Sequence, residues 1–341
     1  MFDQNTLAGL HVVEFAHYVP TPLASYWMQQ LGARVTRVEH PIRKDPLLTD
    51  LSLDVTGGDL YATLNAEKSR HSCDLRSEED RKDLWALLQS ADVFIHQIRP
   101  GRLHEAGFGR ETLERELPAL ITVEVGAGRA RQDEDPRKAK HDLNIAAELG
   151  LLALTAEGNG APVLPHTLLA DVAGATYPIM MNVAYALFQR SRTGKGGYLE
   201  LTMRDGLVPF MLWPVLQCSD ANAEHRSFPY WGASPRYNIY QTGDGHWLAV
   251  AAVEDHFWTR FLDLLSVAPG SLPSDPKQQI DHIAQALRES GPSVVKALSE
   301  ADICCTVIPD LAEAIEAFRP AFSTGQAGKV DRIPSPLAVV G

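Results

Sequence analysis

The pattern of apolar and polar positions in the first 127 residues switches repeatedly between the two periods that mark strands and helices. LHVVEFA (residues 10–16) is a short, β-branched, mostly apolar run with strand character. Thr21 and Pro22 then supply an N-cap and an N1 proline, and LASYWMQQLGA keeps helical spacing until Gly32 ends it. RVTRVEH returns to a strand. Ser77 opens a second helix whose first turn carries Glu78, Glu79 and Asp80, acids that complement the helix dipole. DVFIHQI (residues 92–98) and LITVEVGA (residues 120–127) read as further strands. Strands separated by helices of this length imply βαβ units, a parallel sheet and right-handed crossovers.

The middle of the chain is more helical. Helical spacing runs over residues 141–154 and again over residues 172–191, where RTGKGG (residues 192–197) stops it and YLELTM follows as a strand. After Ser219 the character changes. Two strand-like arms, residues 237–241 and 246–250, flank Gly243-Asp244-Gly245, a hairpin signal, and helical periodicity resumes at HFWTRFLDLL and QQIDHIAQALRES. The expected fold class is α/β. A Rossmann-like large domain (residues 1–198) is followed by a linker (199–225), a smaller α+β domain (226–300) and a tail returning to the large domain (301–341).

Composition narrows the functions open to such a fold. At 341 residues, 45% hydrophobic and 22% charged, the chain is that of a globular protein, and a formal net charge of −12 argues against a nucleic-acid partner. Cys73, Cys218, Cys304 and Cys305 have neither metal-ligand spacing nor the density of a disulfide framework, so no metal is expected and a reducing cytoplasm fits best. The N-terminus lacks the pattern of a secretory signal. The apolar run 172–188 is interrupted by Asn182 and flanked by Asp171 and Arg190, which suits a buried helix better than a membrane span. Neither a GxGxxG after the first strand nor a Walker A sequence is present, and a nicotinamide dinucleotide loses its main support.

KHDLNIAAELG (residues 140–150) sets His141 beside Asp142 at the mouth of a mostly apolar helix. The pair suits a helix cap, and it equally suits a reaction centre. Several stretches bear on the choice: LAGLHVVEFA, LGARVTRVEHP, LNAEKSRHSCDL, ADVFIHQIRPGRLHEAGFG, DVAGATYPIMMNVAYALFQRSRTGKGGYLELTMRDG and YQTGDGHWLAV. In this order they resemble the family III CoA-transferase superfamily, which includes formyl-CoA transferase, carnitine CoA-transferase and α-methylacyl-CoA racemase. The resemblance implies a coenzyme A thioester as substrate and a homodimer of two interlocked chains. It points most closely to the racemase branch, where the reacting groups are a histidine, an aspartate and a glutamate. KHDLN, ADVAG and AVEDHF place His141, Asp171 and Glu254 in the matching contexts. In the transferases of the superfamily, the position of Asp171 is the nucleophile, and the position of His141 is usually another residue.

The residue types suit the implied chemistry. Inverting a carbon next to a thioester carbonyl needs one base to remove the α-proton and an acid on the opposite face to return one, and a histidine and a carboxylate can exchange these roles near neutral pH. Glu254 would orient His141 or hold its charged form, and backbone N–H groups around Asp142 would face the enolate oxygen. Each residue also has a plain structural reading. Asp171 fits an N-cap worth about 1 kcal/mol, His141 a capping or packing histidine, and Glu254 a first-turn acid favoured by the helix dipole.

Ligands of open α/β sheets bind outside the carboxyl ends of the strands. The adenosine end of CoA is therefore expected near Val19, His40, Leu64, Asn65, Lys68, Gln97, Ile98, Arg99 and Lys140, with Asp142 close to the thioester. His40 and Glu105 stand where many relatives carry arginine, leaving Arg43, Lys44, Lys68, Arg99 and Arg102 as the nearby cations for the phosphates. Two readings compete with the racemase: a CoA-transferase working through an aspartyl-CoA anhydride, and a CoA-thioester binding protein without activity.

Overall fold

The structure, a computed structural model, describes residues 5–49, 54–99, 101–129, 134–135, 138–156, 160–218, 232–324 and 330–336. The chain divides into two compact units, residues 1–211 with 321–341, and residues 212–320. Of the segment expected as a linker, the first part closes the large sheet and residues 219–225 lie outside the described residues, as do residues 226–231 of the expected small domain.

The first unit is built on a six-stranded sheet of order β3-β2-β1-β4-β5-β6. Its strands are β1 His11–Phe15, β2 Arg34–Glu39, β3 Ser69–Ser72, β4 Val93–His96, β5 Ile121–Gly126 and β6 Gly197–Thr202, and every pairing is parallel. Alternate residues of β1 show why the run is apolar throughout. Val12 joins a core with Val35, Ile95, Val123, Met28, Ile145 and Ile179, while its neighbour Val13 joins another with Val38, Phe94, Leu84 and Phe108. Both faces of the sheet are covered, as parallel sheets require. β3 gives no such signal because SRHS sits at the sheet edge, mostly exposed.

The strand order reverses between β1 and β4: the chain builds outward through β2 and β3, then returns to the other side of β1. Connections leaving β1 and β4 diverge there and open a crevice at the carboxyl ends. Helix α1 (Pro20–Gln30) leaves β1 at that point. It begins one residue before the expected N-cap, with Val19 as N-cap and no side-chain cap, while Thr21 is buried inside the first turn. Pro20 and Pro22 lack N–H groups that the first turn would leave unsatisfied, so no capping side chain is needed for them. Gly32, at φ +93°, ends the helix as its position predicts.

The second unit has its own core. β7 (Tyr237–Gln241), β8 (Trp247–Ala251) and β9 (Cys305–Ile308) form an antiparallel sheet, with the expected hairpin closed by a bond from Thr242 N–H to the His246 carbonyl (2.9 Å). Helices Asp255–Leu264, Pro276–Glu289 and Pro292–Glu300 bury Trp258, Phe261, Ile283, Leu287 and Leu298 against Leu248 and Val250.

Candidate active site

Glu14 is a charged residue in the middle of a buried strand, and its partners organise the switch point. It is fully buried and meets Arg37 Nη1 at 2.5 Å and Lys68 Nζ at 3.0 Å. Arg37 reaches further, to Glu39 through Nε (2.9 Å) and to Asp45 Oδ2 through Nη2 (2.5 Å). Burial alone would raise the Glu14 pKa, but the charges of Lys68 and Arg37 and the Ser25 hydroxyl hold it below the usual carboxylate range. Such a network adds little net stability while intact, because desolvation offsets the attraction. What it does is fix backbone. Asp45 Oδ1 accepts from Leu47 N–H (2.9 Å) and from Tyr18 N–H (3.4 Å) in the loop that leaves β1.

Tyr18 carries φ +59°, a left-handed conformation that is strained for a bulky side chain and is commonest at functional positions. Its ring packs nearly perpendicular to that of His141, with centroids 5.4 Å apart. His141 is the extended N-cap of the helix Asp142–Glu148, and its N–H donates to Asn144 Oδ1 (3.0 Å). The helix therefore ends at Glu148 and not at residue 154; a 3₁₀ turn, Leu152–Thr155, follows it.

Asp171 does not cap a helix. It lies inside a π-helical segment, Leu169–Thr176, that runs into the helix Tyr177–Thr193. π-helical turns are rare and recur at functional sites. The segment is tied at both ends: Asp142 Oδ1 accepts from the N–H groups of Ala170 (2.5 Å) and Asp171 (3.0 Å), and Thr176 Oγ1 donates to the Pro20 carbonyl (2.9 Å). Gly174 and Gly206 let it lie directly on the helix Met203–Leu207, since a Cβ on Gly206 would stand 2.0 Å from the Gly174 carbonyl oxygen. Burial, and then the negative charge of Asp142, push the half-buried Asp171 carboxyl up to about 6.

The structure thus brings together His141, Asp142 and Asp171, along with Tyr18, at the carboxyl end of β1. Tyr18, Asp45 and Arg37 escaped the sequence reading; the visible clue was Glu14, a charge inside VVEFA that had to find buried cations. Glu254 sits in the second unit as the exposed, extended N-cap of the helix Asp255–Leu264, and its side chain forms no capping bond.

The expected CoA-binding residues divide into two groups. Val19, Leu64, Asn65, Gln97 and Ile98 line the ends of β1, β4 and the helix Asp54–Asn65, and two of them carry buried side-chain oxygens with no hydrogen-bond partner, Asn65 Oδ1 and Gln97 Oε1. Arg99 is exposed. The expected cations have partners within the chain. Lys68 donates to Glu14 Oε2 (3.0 Å), Ser25 Oγ (2.9 Å) and the Pro22 carbonyl (3.0 Å), which uses every donor of an ammonium. Burial, partly countered by Glu14, lowers its pKa to about 8. Lys140 is held between Glu134 Oε2 (2.7 Å) and Glu148 Oε2 (2.8 Å). His40 accepts from Ile42 and Arg43 N–H through Nδ1 (both 3.1 Å) and sets Nε2 3.6 Å from Asp74. Asp142 directs its carboxylate to backbone N–H groups of its own chain.

Residues 7–325 match CoA-transferase family III along nearly the whole chain. The chain belongs to that family. Among curated relatives of this family III member, a human α-methylacyl-CoA racemase is 27% identical, over 97% of this chain and 86% of its own length. An acetyl-CoA:oxalate CoA-transferase of Acetobacter aceti is also 27% identical, over 86% of this chain and 75% of its length. Two crystal structures share the fold. Rv3272 from M. tuberculosis superposes with a TM-score of 0.81 at 20% identity, covering 98% of this chain and 92% of that one. A CAIB/BAIF family protein from Brucella suis gives 0.73 at 22%, covering 94% and 88%. The family III chain is thus an enzyme whose relatives include both a racemase and CoA-transferases.

Proposed function

We propose that this enzyme inverts the α-carbon of a 2-methylacyl-CoA by two-base proton transfer between His141 and Asp171. The observation that carries the reading is the half-buried Asp171 carboxyl, raised to about 6, in a segment bonded to the residue next to His141. A carboxyl held partly protonated by burial can donate or accept a proton, and an imidazole is likewise able to do either, so the pair can serve as acid or base in either direction. One takes the proton from Cα, the electron pair moves into the thioester carbonyl as an enolate, and the other returns a proton to the opposite face. Asn65 Oδ1 and Gln97 Oε1 would accept from amide or amine N–H groups of the CoA moiety, which would end their isolation. Glu254 enters through the resemblance alone, and no step is routed through it.

The transferase reading draws support from the Acetobacter aceti relative. There Asp171 would attack the thioester carbonyl, expel the CoA thiolate and form an anhydride. Incubating a 2-methylacyl-CoA with the protein alone in heavy water separates the two. The racemase gains deuterium at Cα and loses optical purity, and His141→Ala and Asp171→Asn each lower this by a factor of about 100 to 10,000. Transfer of CoA between two carboxylic acids without Cα exchange, retained in His141→Ala and lost in Asp171→Asn, would sink the racemase reading.

The chain is further proposed to work as an interlocked homodimer in the cytoplasm. Free thiols at Cys73, Cys304 and Cys305 suit a reducing compartment. The exposed Tyr177, Met181, Tyr185 and Phe188 on the helix Tyr177–Thr193 suit contact with a second copy.

A further inference from the structure

We propose that Asp142 is a positioning residue for Asp171: its carboxylate anchors the backbone of the π-helical turn and sets the charge environment of the Asp171 carboxyl. This rests on the two-base reading and extends it to a third side chain. The geometry is specific. One oxygen, Asp142 Oδ1, accepts from the N–H groups of Ala170 and Asp171, so the bond fixes the residue whose side chain reacts and the one before it. The helix that carries Asp142 packs on this segment, its buried Ile145 sharing a core with Ala170 and Ala175, and His141 precedes it directly. A single short helix thus positions both proton-transferring groups, one as its N-cap and one through its first side chain.

Among the described residues, the charged side chains on the other elements packed on the segment are Arg190, Arg192, Glu200, Arg204 and Asp205, and none of them contributes to the raised Asp171 titration. Helix α1 has no charged residue; Arg204 bonds Asp205 on the helix Met203–Leu207, at 3.1 Å. On the helix Tyr177–Thr193, Arg190 bonds Asp92 (2.9 Å), and on β6 Glu200 bonds Arg110 (3.3 Å). Glu148, further along the helix of Asp142, is occupied by Lys140. Burial first, and then the charge of Asp142, account for the elevated Asp171 titration.

Two substitutions separate anchoring from charge. Asp142→Asn keeps an oxygen acceptor and removes the charge; Asp142→Ala removes both. The Asp171 carboxyl is followed directly by ¹³C NMR in protein labelled at aspartate, its resonance assigned by its loss in Asp171→Asn. Its midpoint is expected to fall in Asp142→Asn relative to wild type. In the heavy-water assay the acidic limb of the pH profile moves down by the same amount. Cα exchange drops on the order of 100-fold in Asp142→Ala, the cost of misplacing a reacting group, and less in Asp142→Asn. An unchanged or raised midpoint in Asp142→Asn, or equal exchange rates in Asp142→Ala and wild type, overturns the proposal. Should wild-type protein show no Cα exchange at all, the two-base reading fails instead, and the NMR midpoint still decides whether Asp142 governs Asp171. Should Asp142→Ala not fold, the midpoint and profile of Asp142→Asn decide.

Discussion

At the scale of single residues, the site is built from groups that stability alone would not choose. Asp171 is a carboxyl pushed up from 3.8 to about 6 by burial and by Asp142. Its protonated form is the better one for folding, so its favourable contribution is complete below the unfolded pKa of about 3.9 and is lost as pH rises through about 6. Above that, wild-type protein holds an ill-solvated charge costing up to roughly 3 kcal/mol. Asp171→Asn removes the charge and nearly preserves the shape. Thermal unfolding of the two proteins across pH should therefore show the variant more stable at pH 8, by a few degrees, with the gap closing by pH 4. A variant less stable than wild type at pH 8 would mean that Asp171 is paired in a way this geometry does not contain. Lys68 shows the opposite limit of sequence reading. A lysine in LNAEKSR has the look of a solvated cation ready for a phosphate, and nothing local reveals that it points inward; only the pairing of β1, β2 and β3 brings it beneath Glu14.

At the scale of elements, what could be read from the chain was whatever local pattern decides. The strands β1, β4 and β5 are largely apolar runs, β2 and β6 set Val35, Val38, Leu199 and Leu201 among polar residues, and the hairpin of β7 and β8 is marked by its glycines. The helix Glu78–Gln89 begins where Ser77 accepts from Asp80 N–H, as its capping signal predicts. Hidden features depend on contacts distant in sequence. Periodicity places a helix start near residue 172, yet helical structure begins at Leu169, because Asp142 caps the turn from another element and the π geometry re-aims Asp171. The glycines of the segment have a reason that periodicity cannot supply. With the Gly174 carbonyl oxygen 2.0 Å from a Cβ at position 206, Gly206→Ala must push two backbones apart. An overpacking cost of about 1–3 kcal/mol is expected from chemical denaturation. Because Asp171 lies in the displaced turn, Cα exchange should fall by more than stability loss alone explains at temperatures where the variant stays folded. Normal exchange with normal stability would show that the two elements separate freely.

At the scale of the molecule, the topology follows from simple rules: parallel strands joined by crossover connections, and a crevice where the strand order reverses. The proposed assembly does not follow so simply, and its support lies on the surface of the first unit. The helix Tyr177–Thr193 exposes Tyr177, Met181, Tyr185 and Phe188, with relative exposures of 47%, 68%, 71% and 59%. Their spacing puts them on a single face. Isolated exposed apolar residues are ordinary, but a contiguous apolar stripe on a helix whose other face is bound into the core marks an interaction surface. Val183 and Ile179 on that other face are fully committed to the sheet, so the stripe cannot turn inward. A second copy of this chain is the occupant the family resemblance implies, and it would bury the stripe as a homodimer interface. Sedimentation equilibrium should then find a dimer down to nanomolar protein, with a melting temperature that rises with concentration. Replacing Met181 and Tyr185 together by glutamate should dissociate or unfold it, since charges in an apolar interface are desolvated without partners. A wild-type monomer that stays folded at low concentration, with a melting temperature independent of dilution, would contradict the dimer and leave the stripe to another partner.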